Sequence, residues 1–430
     1  METPRWNLGT KVAFRFLFIY FPLYTTEVPM QFVPISGMQH LFDKYTAMWR
    51  AIAIWLGQHV LHVQHNFSAN VFNPMGGSHD TTIIYLESFS YLVFAALGTL
   101  IWSVLDRKRA NYSYLHSWLM LYLRIMLAIA LVNYGSYKIF PAQFPEPSLS
   151  RLVQRYGNTS PTNLLWTFMG ASPVYSWFAG FVELLGALLL LIPGLATLGA
   201  LMAFGALTNV LMLNFGYDVA VKLATIHWLV MAAFIMAPDI EALTNFFVLH
   251  RSAQASSEPP LFQRKWLQLA AVTLPLVFGL LFIGFRLHRS QQLAAYVENS
   301  RKSAPLYGIW LVNDFQVDGK RESDPLTDPL AWKRMIVASN TDGMIEAVAG
   351  PDRQVSLHFD TPKKAFNMTM NDRPGWTAAF NYDDRLPGML IVSGTIDGHV
   401  IRATLQKEDD SKFLLRNRPF RWIQETADNH

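Results

Sequence analysis

Several ionisable side chains stand inside long apolar stretches of this sequence. Lys138 ends one such stretch, Glu183 lies in the middle of another, and His227 lies within a third. A charge at the centre of a membrane-spanning helix costs on the order of 2.5–3.5 kcal/mol, so each of these groups needs a partner or a task. We therefore take these three residues as the candidate catalytic residues.

The two charged candidates each admit two interpretations. A buried Glu183 either pairs with Arg124 or Lys138, or stays protonated. It then serves as part of an ion pair that fixes the bundle, or it handles protons for a bound headgroup. Lys138 either extends toward the lipid headgroups or acts as a base beside Tyr134 and Tyr137.

His227 also has two interpretations: it is a proton-relay partner for a bound molecule, or a hydrogen-bonding group within the bundle. Further polar residues of the same region are candidates for binding a cofactor. They are Arg124, Tyr134, Tyr137, Asp218 and Lys222.

A run of histidines, His59, His62 and His65, lies in an amphipathic stretch over 44–65 that we expect to lie at the membrane interface. In a helix, the spacing places His59 and His62 on one face, where two histidines can share zinc or copper. The same residues suit a polar surface near lipid headgroups. The second interpretation is favoured, and a metal is the weaker alternative.

The elements that carry these residues follow from the apolar runs. Hydrophobic residues make up 51% of the 430, and charged residues only 15%, against about 25% in soluble proteins. The runs predict a multi-pass α-helical membrane bundle of about seven transmembrane helices. Their approximate ranges are 12–31, 81–105, 116–140, 173–192, 195–214, 219–237 and 266–286. Small residues in the fifth helix, Gly199 among them, predict close helix contact.

From Tyr307 onward, short alternating runs replace the long apolar ones. Turn signals separate them, at Asp318-Gly319, Asp342-Gly343, Pro374-Gly375, Pro387-Gly388 and Asp397-Gly398. Eight or more strands at this spacing predict an antiparallel β-barrel or a sandwich. The net charge of +4, without a basic stripe, argues against a nucleic-acid partner. The absence of cysteine excludes disulfides and thiolate metal sites.

Three short motifs resemble a known membrane family. They are NYGSYKIF at Asn133–Phe140, WTFMGASP at Trp166–Pro173, and GFVELLGALLLLIPGLATLGA at Gly180–Ala200. Residues 116–238 thereby resemble the DoxX family, a four-helix membrane module whose pattern falls here on Gly135, Lys138, Glu183 and Gly186. Some members are subunits of membrane enzymes that pass electrons to quinone. The resemblance therefore implies a redox-linked process that binds a quinone or another isoprenoid-like molecule.

The C-terminal strands resemble the lipocalins through Gly308-Ile309-Trp310. In that family the tryptophan closes one end of the barrel and packs under an arginine of the last strand, for which Arg418 and Arg421 are the candidates. The resemblance implies a lipocalin-like antiparallel β-barrel. It also leaves a second function open, in which the barrel binds or transfers a lipophilic ligand.

These expectations divide the chain into four parts. Residues 1–115 hold the first two transmembrane helices and the interfacial helix, and 116–250 the DoxX-like module. Residues 251–300 hold a linker and the last transmembrane helix, and 301–430 the β-barrel domain. Basic residues at 107–109 and at 251, 264 and 265 predict a cytoplasmic N-terminus in a bacterial inner membrane, with the barrel in the periplasm.

Three classes of function therefore stay open. The first is a quinone-linked membrane enzyme or redox subunit, the second a lipophilic-ligand binding or transfer protein, and the third a non-catalytic subunit of an envelope complex. The first expects the ionisable groups to converge on one cavity. The second expects a roomy barrel interior. The expected partners are the lipid bilayer, a quinone or other lipophilic small molecule, and the other subunits of a membrane complex.

Overall fold

The structure of the chain is a computed structural model. It describes residues 5–26, 38–64, 80–254, 260–321, 331–348, 350–370, 372–417 and 422–423. The chain divides into two compact units. A helical unit comprises Met1–Ile139 and Phe178–Leu287, and a barrel unit comprises Phe140–Trp177 and His288–His430. The loop 140–177, which separates two predicted transmembrane helices, thus folds with the barrel.

The helices follow the apolar runs of the sequence. In chain order they are α1 Leu8–Thr25, α2 Met38–His59, α3 Thr82–Leu105, α4 Ser113–Ile139, α5 Leu149–Val153, α6 Pro161–Gly170, α7 Pro173–Leu191, α8 Ala196–Gly216, α9 Lys222–Met236, α10 Ile240–Phe247 and α11 Lys265–Lys302. The last helix continues well beyond the predicted end at 286, and its last turns belong to the barrel unit.

Six stretches of the described chain are long and apolar enough to cross a membrane. They are Thr82–Leu105, Ser113–Ile139, Pro173–Leu191, Pro193–Gly216, Lys222–Phe247 and Lys265–Lys302. The prediction of a multi-pass membrane bundle is confirmed. The first of the seven predicted spans forms α1, which is not among the six. Lys11 and Arg15 both lie within its 18 residues and lower its hydropathy.

The core of the helical unit forms around α4, on which Leu123, Leu127 and Leu131 are almost wholly buried. The predicted close contact at Gly199 is present between α8 and α7. A Cβ atom added at Gly199 would lie 2.6 Å from the backbone nitrogen of Leu190. Only glycine allows the two backbones to approach so closely, as in other membrane helix pairs.

The barrel unit contains nine strands in the described chain. They are β1 Gly308–Val317, β2 Lys320–Arg321, β3 Trp332–Val337, β4 Asp342–Ala347, β5 Arg353–Asp360, β6 Ala365–Met370, β7 Thr377–Asp383, β8 Met389–Ile396 and β9 His399–Glu408. Each long strand pairs with the next, and β9 pairs with β1. The short β2 only extends the β1 hairpin, so eight strands close the sheet. The predicted antiparallel barrel is confirmed, in the up-and-down order that lipocalins share with streptavidin.

Large side chains fill the barrel interior. Trp332 packs against Phe315 and Phe380 with ring centroids 5.7 and 5.6 Å apart, and Phe366 stacks on Phe380 at 5.2 Å. These rings belong to one buried cluster that also contains Trp310. The second class of function expects a roomy barrel interior for a lipophilic ligand. Protein side chains occupy this space instead.

Trp310 of the first strand is held by two contacts. Its indole nitrogen donates a hydrogen bond to the carbonyl oxygen of Leu306 at 2.8 Å, and a cation of the last strand lies over its ring. That cation is Lys407, 5.7 Å from the ring centroid. The two arginines predicted for this role, Arg418 and Arg421, lie outside the described residues.

Part of the outer barrel wall is covered by the segment 140–177 of the barrel unit. Leu149 of α5 is fully buried against Ile309, Ile336 and Met344, which point outward from β1, β3 and β4. The side chain of Arg301 in α11 donates to the carbonyl oxygen of Glu146 at 3.0 Å. The apolar residues on this wall thus have a partner, which explains why both faces of β3 and β4 are buried.

Candidate functional site

Lys138 and Glu183 form a buried ion pair within the helical unit. Lys138 lies in the last turn of α4 and Glu183 in the middle of α7, with side chains 7% and 4% exposed. The ammonium group donates to Oε1 of the carboxylate. The second oxygen, Oε2, has no hydrogen-bond partner among the described residues. Of the two partners predicted for Glu183, the structure selects the lysine.

Two glycines bring the helices of this pair together. A Cβ atom added at Gly180 would lie 2.6 Å from the carbonyl oxygen of Gly135 and 2.9 Å from Cβ of Lys138. A Cβ atom added at Gly135 would lie 2.9 Å from the carbonyl oxygen of Gly180. Because α4 and α7 cross closely at these glycines, the carboxylate of Glu183 reaches the ammonium group of Lys138. The motif residues Gly135, Lys138 and Glu183 thus form one contact.

Arg124, the other predicted partner of Glu183, lies elsewhere along the same two helices. Its Nε donates to the carbonyl oxygen of Leu190 at 2.7 Å, and its side chain is buried. Leu190 belongs to the last turn of α7, where the terminal carbonyl groups lack helical partners. A cation at that end is favoured by the helix dipole. The contact of Arg124 is therefore one that stabilises a helix end.

Asp218 and Lys222 form a second ion pair, at the N-terminus of α9. Nζ of Lys222 lies 2.9 Å from Oδ1 of Asp218, whose side chain is 86% exposed. A third residue, Asp80, accepts from the backbone nitrogens of Lys222 and Leu223 at 2.8 and 3.2 Å. A carboxylate at this position satisfies two of the unpaired helical N–H groups. This arrangement joins the start of α3 to the start of α9.

His227 is held by three contacts in the core of the helical unit. Its Nδ1 lies 2.8 Å from the carbonyl oxygen of Leu223, which can only accept, so Nδ1 carries a hydrogen. In the neutral ring Nε2 is then an acceptor, and the hydroxyl of Tyr20 donates to it at 2.5 Å. The ring of Tyr24 stacks on the imidazole with centroids 3.7 Å apart. Two tyrosines of α1 therefore fix a histidine of α9.

A cavity of about 290 Å³ lies beside this histidine, between α1, α3, α4 and α9. We call it the bundle cavity. Four aromatic side chains line it: Tyr24, Tyr91, Tyr134 and Trp228. Trp228 follows His227 in the chain, and its ring lies 5.0 Å from that of Tyr134. Aliphatic lining comes from Ile84, Met126, Ile129 and Ala130.

Polar groups also reach the bundle cavity: Thr25, Glu87, Ser88 and Asn133. Glu87 is paired with Arg50 of α2, whose Nε lies 3.7 Å from the carboxylate. Oδ1 of Asn133 is buried without a hydrogen-bond partner among the described residues. An apolar, aromatic cavity with a few polar groups has the composition of a small-molecule site.

The predicted site residues thus fall into separate groups. Tyr134 lines the bundle cavity, and His227 lies behind Tyr24, one of its walls. Lys138, Glu183, Arg124, Asp218 and Lys222 are not in the cavity lining. Tyr137 instead packs under the guanidinium group of Arg286, 4.8 Å from the ring centroid. The ionisable groups were expected to converge on one cavity. In the structure they do not.

The helical arrangement assumed for the histidine run is wrong. Helix α2 ends at His59, whose Nδ1 lies 3.0 Å from the carbonyl oxygen of Trp55. His62 lies beyond the helix in a left-handed conformation, with φ of 53°. His65 lies outside the described residues. Within the described ranges no three potential metal ligands of the His, Asp and Glu types cluster, and metal binding by His59 and His62 stays a prediction.

Several residues of the site escaped sequence reasoning, among them Tyr20, Tyr24 and Asn133. The tyrosines repeat at the four-residue spacing of one helix face in α1, which offered a signal. Sequence reasoning also missed Arg15, outside this site, which is 2% exposed and donates to the hydroxyl of Tyr112 and to Ser103. A lone arginine in an apolar helix was the signal in that case.

One comparison with known proteins finds a relative. The chain is 33% identical over 126 residues to the uncharacterized protein YwoB of Bacillus subtilis (strain 168). The match covers 79% of YwoB and 29% of this chain.

The chain belongs to the same family as YwoB.

The relationship concerns less than a third of the chain, so YwoB has no counterpart for most of it. No family model matches the chain, and no solved structure matches it either.

Proposed function

We propose that this protein binds the headgroup of a quinone, or of a similar isoprenoid-like membrane molecule, in the bundle cavity. The single observation that carries the proposal is the cavity itself, which is lined by residues of four helices, four of them aromatic. Planar headgroups bind well between aromatic faces. The proposal concerns binding, and assigns no electron transfer to the chain.

The size of the cavity limits the ligand. At about 290 Å³ it lies just below the roughly 300–1,000 Å³ typical of small-molecule sites. A substituted ring fits such a volume, whereas a long isoprenoid tail needs further space along the lipid-facing helix surfaces. The proposed occupant is therefore an amphiphile that inserts its ring and leaves its tail in the bilayer.

Polar lining groups supply the recognition of a ring oxygen. The amide of Asn133 can donate to a carbonyl oxygen or accept from a hydroxyl group. Ser88 offers a hydroxyl group on α3. The hydroxyl of Thr25 on α1 already donates to the carbonyl oxygen of Phe21 at 2.8 Å and lies 2.6 Å from the hydroxyl of Tyr122. Two directed hydrogen bonds in an apolar site fix a ligand's orientation, so Asn133 and Ser88 are the proposed determinants of headgroup binding.

His227 is proposed to position one wall of the site. It stacks on Tyr24 and is itself fixed by Tyr20 and the carbonyl oxygen of Leu223. A wall held from behind loses little side-chain entropy when a ligand binds. In this role His227 acts through Tyr24 and does not touch the ligand.

The DoxX-like identity of residues 116–238 belongs to the same proposal. Its support is that Gly135 and Lys138 of one motif contact Gly180 and Glu183 of another. Motif residues that meet across two helices act as one structural unit. The ion pair then serves the module by fixing α4 against α7.

We also propose a bacterial inner-membrane location with a cytoplasmic N-terminus and a periplasmic barrel. If α1 spans the membrane with the six other stretches, the basic residues 107–109 and 251, 264 and 265 fall on one side. That side is the cytoplasm by the positive-inside rule. The joint folding of 140–177 with the barrel agrees with this topology, because both then lie on the opposite side.

The test is lipid extraction from the full-length protein purified in mild detergent, followed by mass spectrometry of quinones. Tyr134→Leu alters the cavity lining. Tyr114→Leu makes the same change on the same helix at a side chain that is 50% exposed. We expect near-stoichiometric quinone in the wild type and in Tyr114→Leu, and a loss in Tyr134→Leu. Bulk phospholipid alone in the wild type would refute quinone binding, and retention in Tyr134→Leu would refute the bundle cavity as the site.

A second candidate function is that of a non-catalytic subunit of a membrane complex. The pairing of Lys138 with Glu183 and of Lys222 with Asp218 favours it, because paired charges stabilise a scaffold without acting on a ligand. In the extraction experiment this function expects no enriched lipid, and co-purifying subunits in place of one.

A further inference from the structure

The apolar surface of the last candidate span before the linker ends in exposed aromatic side chains. Helix α10 forms the end of the stretch Lys222–Phe247. Phe246 and Phe247 of this helix are 60% and 65% exposed. Side chains of this kind at the end of a membrane span contact lipid chains near the headgroups.

Directly after these rings the chain turns and becomes basic. The backbone nitrogen of Leu249 donates to the carbonyl oxygen of Thr244 at 3.0 Å, and that of Arg251 donates to Asn245 at 2.8 Å. His250 between them adopts a left-handed conformation, with φ of 51°. This turn closes the C-terminus of α10 and brings His250 and Arg251 back beside Phe246 and Phe247.

These four residues line a second cavity, of about 390 Å³. It is lined by two phenylalanine rings, one imidazole and one guanidinium group, without an acidic residue. Within the described part of the chain, the side chains of His250 and Arg251 form no hydrogen bond and no ion pair. The guanidinium group of Arg251 thus lines the cavity next to two phenylalanine rings that suit an acyl chain.

We propose that this cavity binds an anionic phospholipid. The phosphate would meet the guanidinium group of Arg251, which suits phosphate oxygens through two parallel N–H donors. The acyl chains would lie along Phe246 and Phe247. A phospholipid of net negative charge is favoured over a zwitterionic one. The lining has no acidic side chain that would attract the positive headgroup of a zwitterionic lipid.

The arrangement of charge along the chain supports this choice of ligand. Arg264, just before α11, and Lys265, its first residue, add two further cations, so positive charge accumulates where the linker meets the membrane. Each cation near an anionic surface adds to the attraction for negatively charged lipid. The site is independent of the bundle cavity, and no residue lines both.

The test is lipid titration of the full-length protein in detergent, with bound lipids counted by native mass spectrometry. The probes are phosphatidylglycerol and phosphatidylcholine with identical acyl chains. We expect the wild type to bind phosphatidylglycerol more tightly than phosphatidylcholine. Arg251→Gln should weaken phosphatidylglycerol binding about fivefold and weaken phosphatidylcholine binding less, because the phosphate of phosphatidylcholine carries a positive choline group beside it. Arg251→Lys should retain most of the preference, because it keeps the charge.

The matched control is Arg289→Gln, which removes another exposed arginine, in α11. Binding of phosphatidylglycerol at wild-type strength by Arg251→Gln would overturn the proposal. An equal loss in Arg289→Gln would do the same, because it would indicate a general effect of net charge. Displacement of the lipid by an equal concentration of glycerol 3-phosphate would overturn the assignment to a lipid and indicate a free-phosphate site.

Discussion

The ammonium group of Lys138 contacts the carboxylate of Glu183 at the point where α4 and α7 cross most closely. Both side chains are buried, and Gly135 and Gly180 leave no room for a Cβ atom between the two backbones. Removing two charges from water costs several kcal/mol per ion, which only a close partner offsets. The pair therefore makes the crossing of α4 and α7 specific, and it depends on two glycines several residues away.

Removing one partner of this pair should destabilise the helical unit strongly. In Glu183→Gln the buried ammonium group of Lys138 loses its counterion, and the expected loss is about 3–5 kcal/mol. The measurement is thermal unfolding in mild detergent, followed by intrinsic fluorescence. Asp218→Asn is the control, because the carboxylate of Asp218 is 86% exposed and exposed pairs contribute at most about 1 kcal/mol. Equal small shifts in both variants would contradict a buried, mutually dependent pair.

The glycine contact should tolerate no side chain. A Cβ atom at Gly180 would lie 2.6 Å from a backbone oxygen, so Gly180→Ala forces the helices apart. Overpacking of this kind typically costs about 1–3 kcal/mol, and separation also weakens the Lys138–Glu183 pair. Gly205→Ala in α8 is the matched control, since no atom lies within 4 Å of its Cβ position. We expect a lower unfolding temperature for Gly180→Ala alone. A similar decrease in both variants would indicate general helix effects.

Leu149 should contribute to the stability of the barrel, although it lies far from the strands in sequence. It is fully buried against Ile309, Ile336 and Met344, and truncation of such a side chain typically costs about 2–5 kcal/mol. The measurement is urea unfolding of Leu149→Ala, monitored by near-ultraviolet circular dichroism of the barrel aromatics. The control Leu386→Ala removes a leucine that is 60% exposed. An unchanged midpoint for Leu149→Ala would mean that 140–177 does not fold with the barrel.

Much of the fold was predictable because its signals are local. Apolar runs predict the membrane helices, and period-two runs predict the strands. Asp318-Gly319 and Asp397-Gly398 each adopt two successive positive φ angles, as two-residue hairpin turns require. The Asp342-Gly343 signal was wrong, because both residues belong to β4. Gly343 is required there for packing: a Cβ atom would lie 2.8 Å from the carbonyl oxygen of Ile336.

The candidate site was less predictable because its contacts are distant in sequence. Tyr20 and His227 are 207 residues apart, and no local pattern relates them. The partner of Glu183 depended on where α4 and α7 cross, which the packing at Gly135 and Gly180 decides. Ionisable side chains in apolar helices were good indicators that partners exist. They did not indicate which groups would share a cavity.

Acid should weaken the barrel through Glu346, which is 4% exposed in its side chain and pairs with Lys333 and Arg334, each at 2.7 Å. Burial alone would raise its pKa, but the hydrogen bonds and charges of the two partners outweigh burial and lower it from 4.5. The unfolded chain then binds this proton more tightly than the folded barrel does, so stability falls as the pH decreases. The stabilisation is present above the ordinary glutamate pKa and is lost as the pH falls through the lower folded value. We expect the difference in unfolding free energy between wild type and Glu346→Gln to shrink between about pH 5 and pH 3.

Glu298→Gln, at an exposed helix position, should show a difference that is small at every pH. A difference for Glu346→Gln that is constant over this range would contradict the lowered pKa and leave the loss of packing as its cause.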